Sequence, residues 1–115
     1  MLTIYHNPRC SKSRQALEIL QQHSLDITVV EYLKQPLSPA ELEALLAKLG
    51  MTPRQLLRTG EQDYKDLQLS QTTKSDQQLI AAMSQYPKLM ERPIVVRGDK
   101  AVVGRPPERV LELLA

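Results

Sequence analysis

Apolar and polar side chains alternate through Leu2-Thr3-Ile4-Tyr5-His6, the period-two pattern of a half-buried strand. Asn7-Pro8-Arg9 breaks it, because proline lacks a backbone donor and asparagine favours turns. From Cys10 to His23 the apolar residues Ala16, Leu17, Ile19 and Leu20 recur at helical spacing, with Ser11 or Ser13 placed to cap the first turn. The β-branched run from Ile27 to Tyr32 predicts a second strand, which a helical crossover makes parallel to the first. Ser38-Pro39-Ala40-Glu41 then carries a cap, a proline at the first helical position and a glutamate at the third. Leu42, Leu45, Leu46 and Leu49 form the apolar stripe of that helix, and Gly50 ends it. Thr52-Pro53-Arg54-Gln55 repeats the start signal for a short helix through Leu57. Residues 59–74 are polar, with one helical turn expected around Asp63 to Leu67, and a further helix runs from near Ser75 to about Tyr86. Ile94-Val95-Val96 and Ala101-Val102-Val103 flank Gly98-Asp99 as a hairpin, and Pro106-Pro107-Glu108 opens a last helix through Val110, Leu111 and Leu114.

The order is thus βαβ, a helical stretch, then ββα. It predicts an α/β protein of thioredoxin-like arrangement: one domain over residues 1–115, with a four-stranded mixed sheet and a helical insertion at about 38–86. The 115 residues are 42% hydrophobic and 24% charged, enough for a chain of this size to bury roughly two thirds of its unfolded surface. Apolar runs as short as Ile94-Val95-Val96 predict no membrane span. No basic region followed by an apolar stretch opens the sequence, so cytoplasmic residence is expected. A net charge of +2 without a basic block, and four Tyr with no Phe or Trp, argue against nucleic-acid binding.

Cys10 is the sole cysteine, so no internal disulfide forms, and with His6 and His23 it makes a poor metal set. No metal and no bound cofactor are expected. A lone cysteine is often just a small core hydrophobe. Here it opens a helix, where unpaired N–H groups and the helix dipole favour the thiolate, and Arg9, Lys12 and Arg14 add positive charge, so the nucleophilic reading is preferred. Cys10-Ser11-Lys12-Ser13 is a C-x-x-S arrangement: Ser13 stands where a dithiol oxidoreductase keeps its resolving cysteine, so an outside thiol must clear any mixed disulfide on Cys10. His6 either supports the thiolate or shapes the turn at the strand end. The same helix N-terminus attracts an oxyanion, whose other requirement is a planar, permanently charged donor. Arg58 before Thr59-Gly60-Glu61, Arg92 before Pro93, and Arg105 between Gly104 and two prolines are the candidates. In the thioredoxin arrangement Pro93 takes the position of a cis-proline facing the reactive cysteine.

Four ordered segments, Tyr5-His6-Asn7-Pro8-Arg9-Cys10-Ser11-Lys12-Ser13-Arg14, Leu57-Arg58-Thr59-Gly60-Glu61, Glu91-Arg92-Pro93-Ile94-Val95 and Gly104-Arg105-Pro106-Pro107-Glu108, together resemble the glutaredoxin-linked arsenate reductases over nearly the whole chain. The resemblance implies that Cys10 attacks arsenate, that His6 supports its thiolate, and that Arg58, Arg92 and Arg105 hold the oxyanion and the arsenite adduct. Ser13, Arg14 and Pro93 support the site. It further implies glutathione as co-substrate and glutaredoxin as partner; the chain is taken to be a monomer. Two departures stand out: classical members carry Gly-Thr where this chain has Ser11-Lys12, and they extend further at the C-terminus. The phosphatase-like arsenate reductases do not fit, since they use several cysteines and a C-x5-R loop, and Ala16 occupies that arginine's position.

Two other readings compete. The Spx-like regulators resemble this fold and contact RNA polymerase, but they carry a C-x-x-C switch that Ser13 removes. A thiol enzyme clearing protein-glutathione mixed disulfides would need Cys10 yet tolerate loss of Arg58 and Arg105.

Overall fold

Strand β1 (Leu2–Tyr5) lies at the centre of the sheet because both its edges find partners. It pairs in parallel with β2 (Ile27–Val30), Leu2 opposite Ile27, and antiparallel with β3 (Ile94–Arg97), Tyr5 opposite Ile94. The computed structural model describes residues 2–23, 26–71 and 73–114, and gives the sheet order β2-β1-β3-β4, with β4 spanning Lys100–Val103. Arg97 pairs with Lys100, so Gly98-Asp99 is the two-residue turn, and Gly98 takes the left-handed φ of 61° that such a turn requires.

Helix α1 (Ser11–His23) connects β1 to β2 and lays Ala16 and Leu20, both fully buried, on Leu2, Ile4 and Val95. Each large aliphatic side chain in this cluster contributes about 1.5–3 kcal/mol by leaving water. Val110 and Leu113 close the cluster from the C-terminal segment. That segment, Pro107–Leu113, is a 3₁₀ helix and not the α-helix the sequence suggests. Its buried residues are Pro107, Val110 and Leu113, spaced three apart, the repeat of a 3₁₀ turn. Leu111, expected inside, is 40% exposed. Strand β2 stops at Val30, short of Tyr32, because Lys34 and Gln35 both donate to the Glu31 carbonyl and turn the chain there.

These elements make up one compact unit, Met1–Gln35 with Arg92–Ala115; Pro36–Glu91 forms a second. In the second unit, α2 (Pro39–Leu49), α3 (Pro53–Leu56) and α5 (Asp76–Gln85) each start with a complete capping box: Ser38 with Glu41, Thr52 with Gln55, Ser75 with Gln78. Gly50, at φ 66°, ends α2 in the left-handed conformation. Leu42, Leu45 and Leu46 are buried as expected, whereas Leu49 is half-buried. The single turn foreseen in the polar connection is α4 (Gln62–Asp66). Among the described residues no helix is long and apolar enough to cross a membrane.

Candidate active site

At the end of β1 the ladder continues for one bond, from His6 N–H to the Val30 carbonyl (2.8 Å), and the chain then turns. Asn7 drives the turn: its side-chain oxygen accepts from Arg9 N–H (3.0 Å) and its carbonyl from Cys10 N–H (3.0 Å). Cys10 is therefore set at the cap position of α1, half-buried, with its carbonyl accepting the first helical bond from Arg14 N–H (3.0 Å). The N–H groups of Ser11, Lys12 and Ser13 precede the helical ladder and point out of the helix N-terminus, an arrangement that suits a thiolate or a bound oxyanion.

Neither Ser11 nor Ser13 caps α1 in the way the sequence suggests. Ser13 is fully buried, and its Oγ lies 2.6 Å from His6 Nδ1 while accepting from Asn7 N–H at 3.1 Å. One hydroxyl thus ties the strand end, the loop and the helix together. His6 is buried as well, and among the described residues neither it nor Ser13 hydrogen-bonds the Cys10 sulfur. Of the two readings of His6, the observed contact is the one that shapes the turn. Burial lowers its pKa below 6.5, partly offset by the negative charge of Glu31 and reinforced by the positive charge of Arg14, so the ring is neutral at pH 7. Arg14 braces the loop from the helix side by donating from Nη1 to the Pro8 carbonyl (2.9 Å).

Two further segments reach the same end of the sheet. Because Tyr5 opposes Ile94 and Ile94 opposes Val103, the residues before β3 and after β4 lie at the end of the sheet where the chain leaves β1, those before β3 beside it and those after β4 one strand further on. They are Arg92-Pro93 and Gly104-Arg105-Pro106. Both the Arg92-Pro93 and the Arg105-Pro106 bonds are cis; the second was not anticipated from sequence. Gly104 N–H donates to the Pro93 carbonyl (2.8 Å), and Arg105 Nη1 reaches the Arg92 carbonyl (3.4 Å), so the two arginines lie side by side, one just before β3 and one just after β4. A side chain at Gly104 is tight: its Cβ would stand 3.0 Å from Pro93 Cγ and 3.1 Å from Val110 Cγ1, so those side chains must shift by a few tenths of an ångström. The first unit therefore brings together Cys10, His6, Ser13, Arg14, Arg92, Pro93 and Arg105.

Arg58 belongs to the second unit. A short antiparallel bridge, Leu57 opposite Met90, with Arg58 N–H to Leu89 carbonyl (2.7 Å) and Glu91 N–H to Leu56 carbonyl (2.9 Å), fixes its backbone. Its guanidinium is bound by Glu61 at Nη1 and faces Glu91 across 3.8 Å at Nε. Sequence reading missed both carboxylates. Glu61 stood within the quoted motif three residues from Arg58, but nothing local joins Arg58 to Glu91. The second unit also holds a cavity of about 290 Å³ between Leu67, Leu69, Lys74, Gln78, Ala82 and Tyr86, none of which is a candidate site residue.

Residues 5–113 match the ArsC family. The chain belongs to that family. It is 46% identical over 112 residues to a Haemophilus influenzae protein named arsenate reductase, a match covering 96% of this chain and 97% of that one. It is 52% identical over 112 residues to the Escherichia coli protein YfgD, whose name assigns no function, covering 96% and 94% respectively. An arsenate reductase structure from Vibrio cholerae superposes with a TM-score of 0.94 at 46% identity, covering 96% of this chain and 95% of that one. The fold is the thioredoxin-like α/β fold that the order of elements implied.

Proposed function

We propose that this protein is an arsenate reductase that uses Cys10 as its nucleophile, with glutathione and glutaredoxin supplying the electrons. The observation that carries the reading is the placement of Cys10 at the α1 N-terminus, at the sheet end where Arg92-Pro93 and Gly104-Arg105 also arrive. An oxyanion seated there meets helix N–H groups and guanidinium forks, while the thiolate faces its central atom. The names of the relatives support arsenate as that oxyanion.

The Cys10 thiolate attacks arsenic and forms an S–As bond as one arsenate oxygen, protonated, leaves as water. The thiolate of glutathione then forms an S–S bond with Cys10, and the electron pair of the broken S–As bond stays on arsenic, taking As(V) to As(III). A glutaredoxin thiolate attacks the glutathione sulfur of the mixed disulfide and returns Cys10 as thiolate. A single cysteine satisfies this scheme, and Ser13 is no substitute for a resolving thiol because a hydroxyl forms no disulfide; its Oγ instead bonds His6 and Asn7. Arg92 and Arg105 hold the anion, and the motif around Arg58 supports the same role for it. Buried, neutral His6 acts with Ser13 and Arg14 to fix the loop that presents Cys10.

The test is NADPH oxidation coupled through glutathione reductase, with arsenate, glutathione and glutaredoxin present, for the wild type and Cys10→Ser. Turnover should need arsenate and glutaredoxin and vanish in the variant. Turnover that persists in Cys10→Ser removes Cys10 as nucleophile, and none in the wild type removes arsenate reduction.

A further inference from the structure

We propose that the cavity between the 67–69 segment and α5 is a binding site for a small aromatic carboxylate, separate from the site at Cys10. The inference goes beyond the arsenate reading and does not depend on it, because none of the residues that line the cavity belongs to the site at Cys10.

The cavity measures about 290 Å³ and lies wholly within the second unit. That volume falls at the small end of ligand pockets, which run from roughly 300 to 1,000 Å³, so the occupant is a small molecule and not a length of chain. The loop side is held in place before any ligand arrives. Leu69 N–H donates to the Tyr64 carbonyl (3.0 Å), while Arg54 donates from Nη1 to the Leu69 carbonyl (2.8 Å) and from Nη2 to the Gln71 carbonyl (3.1 Å). Gln68 takes a left-handed φ of 55°, which a residue with a side chain keeps only where its surroundings fix it. Lys74 N–H donates to the Gln71 carbonyl (3.2 Å), so the clamp extends to the cavity's one cation. A wall that is already ordered binds without the entropic cost of arranging itself.

The lining selects both halves of the ligand. Leu67 and Leu69 supply an apolar wall; opposite them Ala81 and Ala82 end at Cβ and leave the helix surface flat, with the Tyr86 ring beside them. A flat apolar slot next to an aromatic side chain suits a ring. The polar groups suit an anion. None of the described lining residues is acidic, and among the described residues the Lys74 ammonium has no ion-pair or hydrogen-bond partner. Gln78 commits its side-chain oxygen to Ser75 N–H (2.7 Å) in the capping box of α5, so what it offers a ligand is its NH₂ donor. A carboxylate accepts from that amide and from the ammonium, and a charge-assisted bond of this kind is stronger than a neutral one. An inorganic oxyanion lacks the apolar body that the rest of the lining fits.

The experiment is titration of the full chain with 3-phenylpropionate, read by backbone amide NMR shifts, with the neutral 3-phenylpropanamide and with acetate as comparison ligands. Saturable shifts should appear in 67–69, Lys74 and α5. The neutral amide should bind about tenfold more weakly, as should 3-phenylpropionate to Lys74→Met, the loss expected when a charge-assisted bond becomes a neutral one at a partly exposed site. Lys74→Arg keeps the charge and should keep the affinity; acetate, without a ring, should give no saturable shift. Ala81→Leu should fill the slot and remove binding while leaving the fold intact, since the position is exposed and leucine is a strong helix former. Absence of saturable shifts in the wild type, shifts confined to other residues, full affinity in Lys74→Met or in Ala81→Leu, or equal affinity for the neutral amide overturns the proposal.

Discussion

Ser13→Ala offers the sharpest test of how the Cys10 loop is held. The hydroxyl is fully buried and serves two partners, His6 Nδ1 at 2.6 Å and Asn7 N–H at 3.1 Å. Alanine keeps the helix and the packing volume but strips both partners. A buried polar group left unsatisfied costs about 1–3 kcal/mol. His6 is buried and stands toward the upper end; Asn7 is half-buried, so water recovers part of its loss. The sum is about 2–4 kcal/mol, a large share of the roughly 5–15 kcal/mol that stabilises a domain of this kind. It corresponds to a fall in Tm of about 10–20 °C. Ser11→Ala, two residues away and exposed, is the control and should change stability by less than about 0.5 kcal/mol. Urea denaturation followed by circular dichroism measures both, with an unchanged m-value showing that the denatured state is the same. Should Ser13→Ala prove as mild as Ser11→Ala, the hydroxyl does not tie strand, loop and helix together. The site would then owe its order to the Asn7 turn and the Arg14 brace alone.

Gly104→Ala should lose about 1–3 kcal/mol, since its Cβ must push against Pro93 and Val110; a neutral result in the same denaturation assay would mean that this corner gives way freely. His6 should make stability fall on acidification. Burial lowers its folded pKa below 6.5, so the unfolded chain takes up the proton first, and stability present above pH 6.5 drains away as pH falls from there toward the folded value. Denaturation across that window should show a shallower slope in His6→Gln, and identical slopes would refute the assignment. Arg92→Ala should weaken arsenate binding by about 1.5–3 kcal/mol, roughly 10- to 150-fold, as expected for a lost charge-assisted pair; calorimetry showing unchanged affinity would move the oxyanion elsewhere.

Which parts of this structure were legible in the sequence follows from the range of the interactions that fix them. The capping boxes at Ser38, Thr52 and Ser75 each close within four residues, so their spacing alone announces the helix starts. The Gly98 turn is equally local, because two residues between paired strands demand its positive φ. The terminal segment misled because Val110, Leu111 and Leu114 fit a helical stripe, yet a second pattern, Pro107, Val110 and Leu113, was present and is the one the core accepts. At the site, Cys10 and the arginines were legible as residue types, since a thiol at a helix start and guanidinium groups beside prolines carry their chemistry with them. What they touch was not. Ser13 looked like the vacant position of a resolving cysteine, and only the fold turns its hydroxyl inward to His6, seven residues back. Glu91 lies thirty-three positions from Arg58 and reaches it through a bridge whose residues, Leu57 and Met90, announce no strand. The candidate chemistry is thus written in single residues, while the hydrogen bonds and ion pairs around them come from pairings that exist only once the chain has folded.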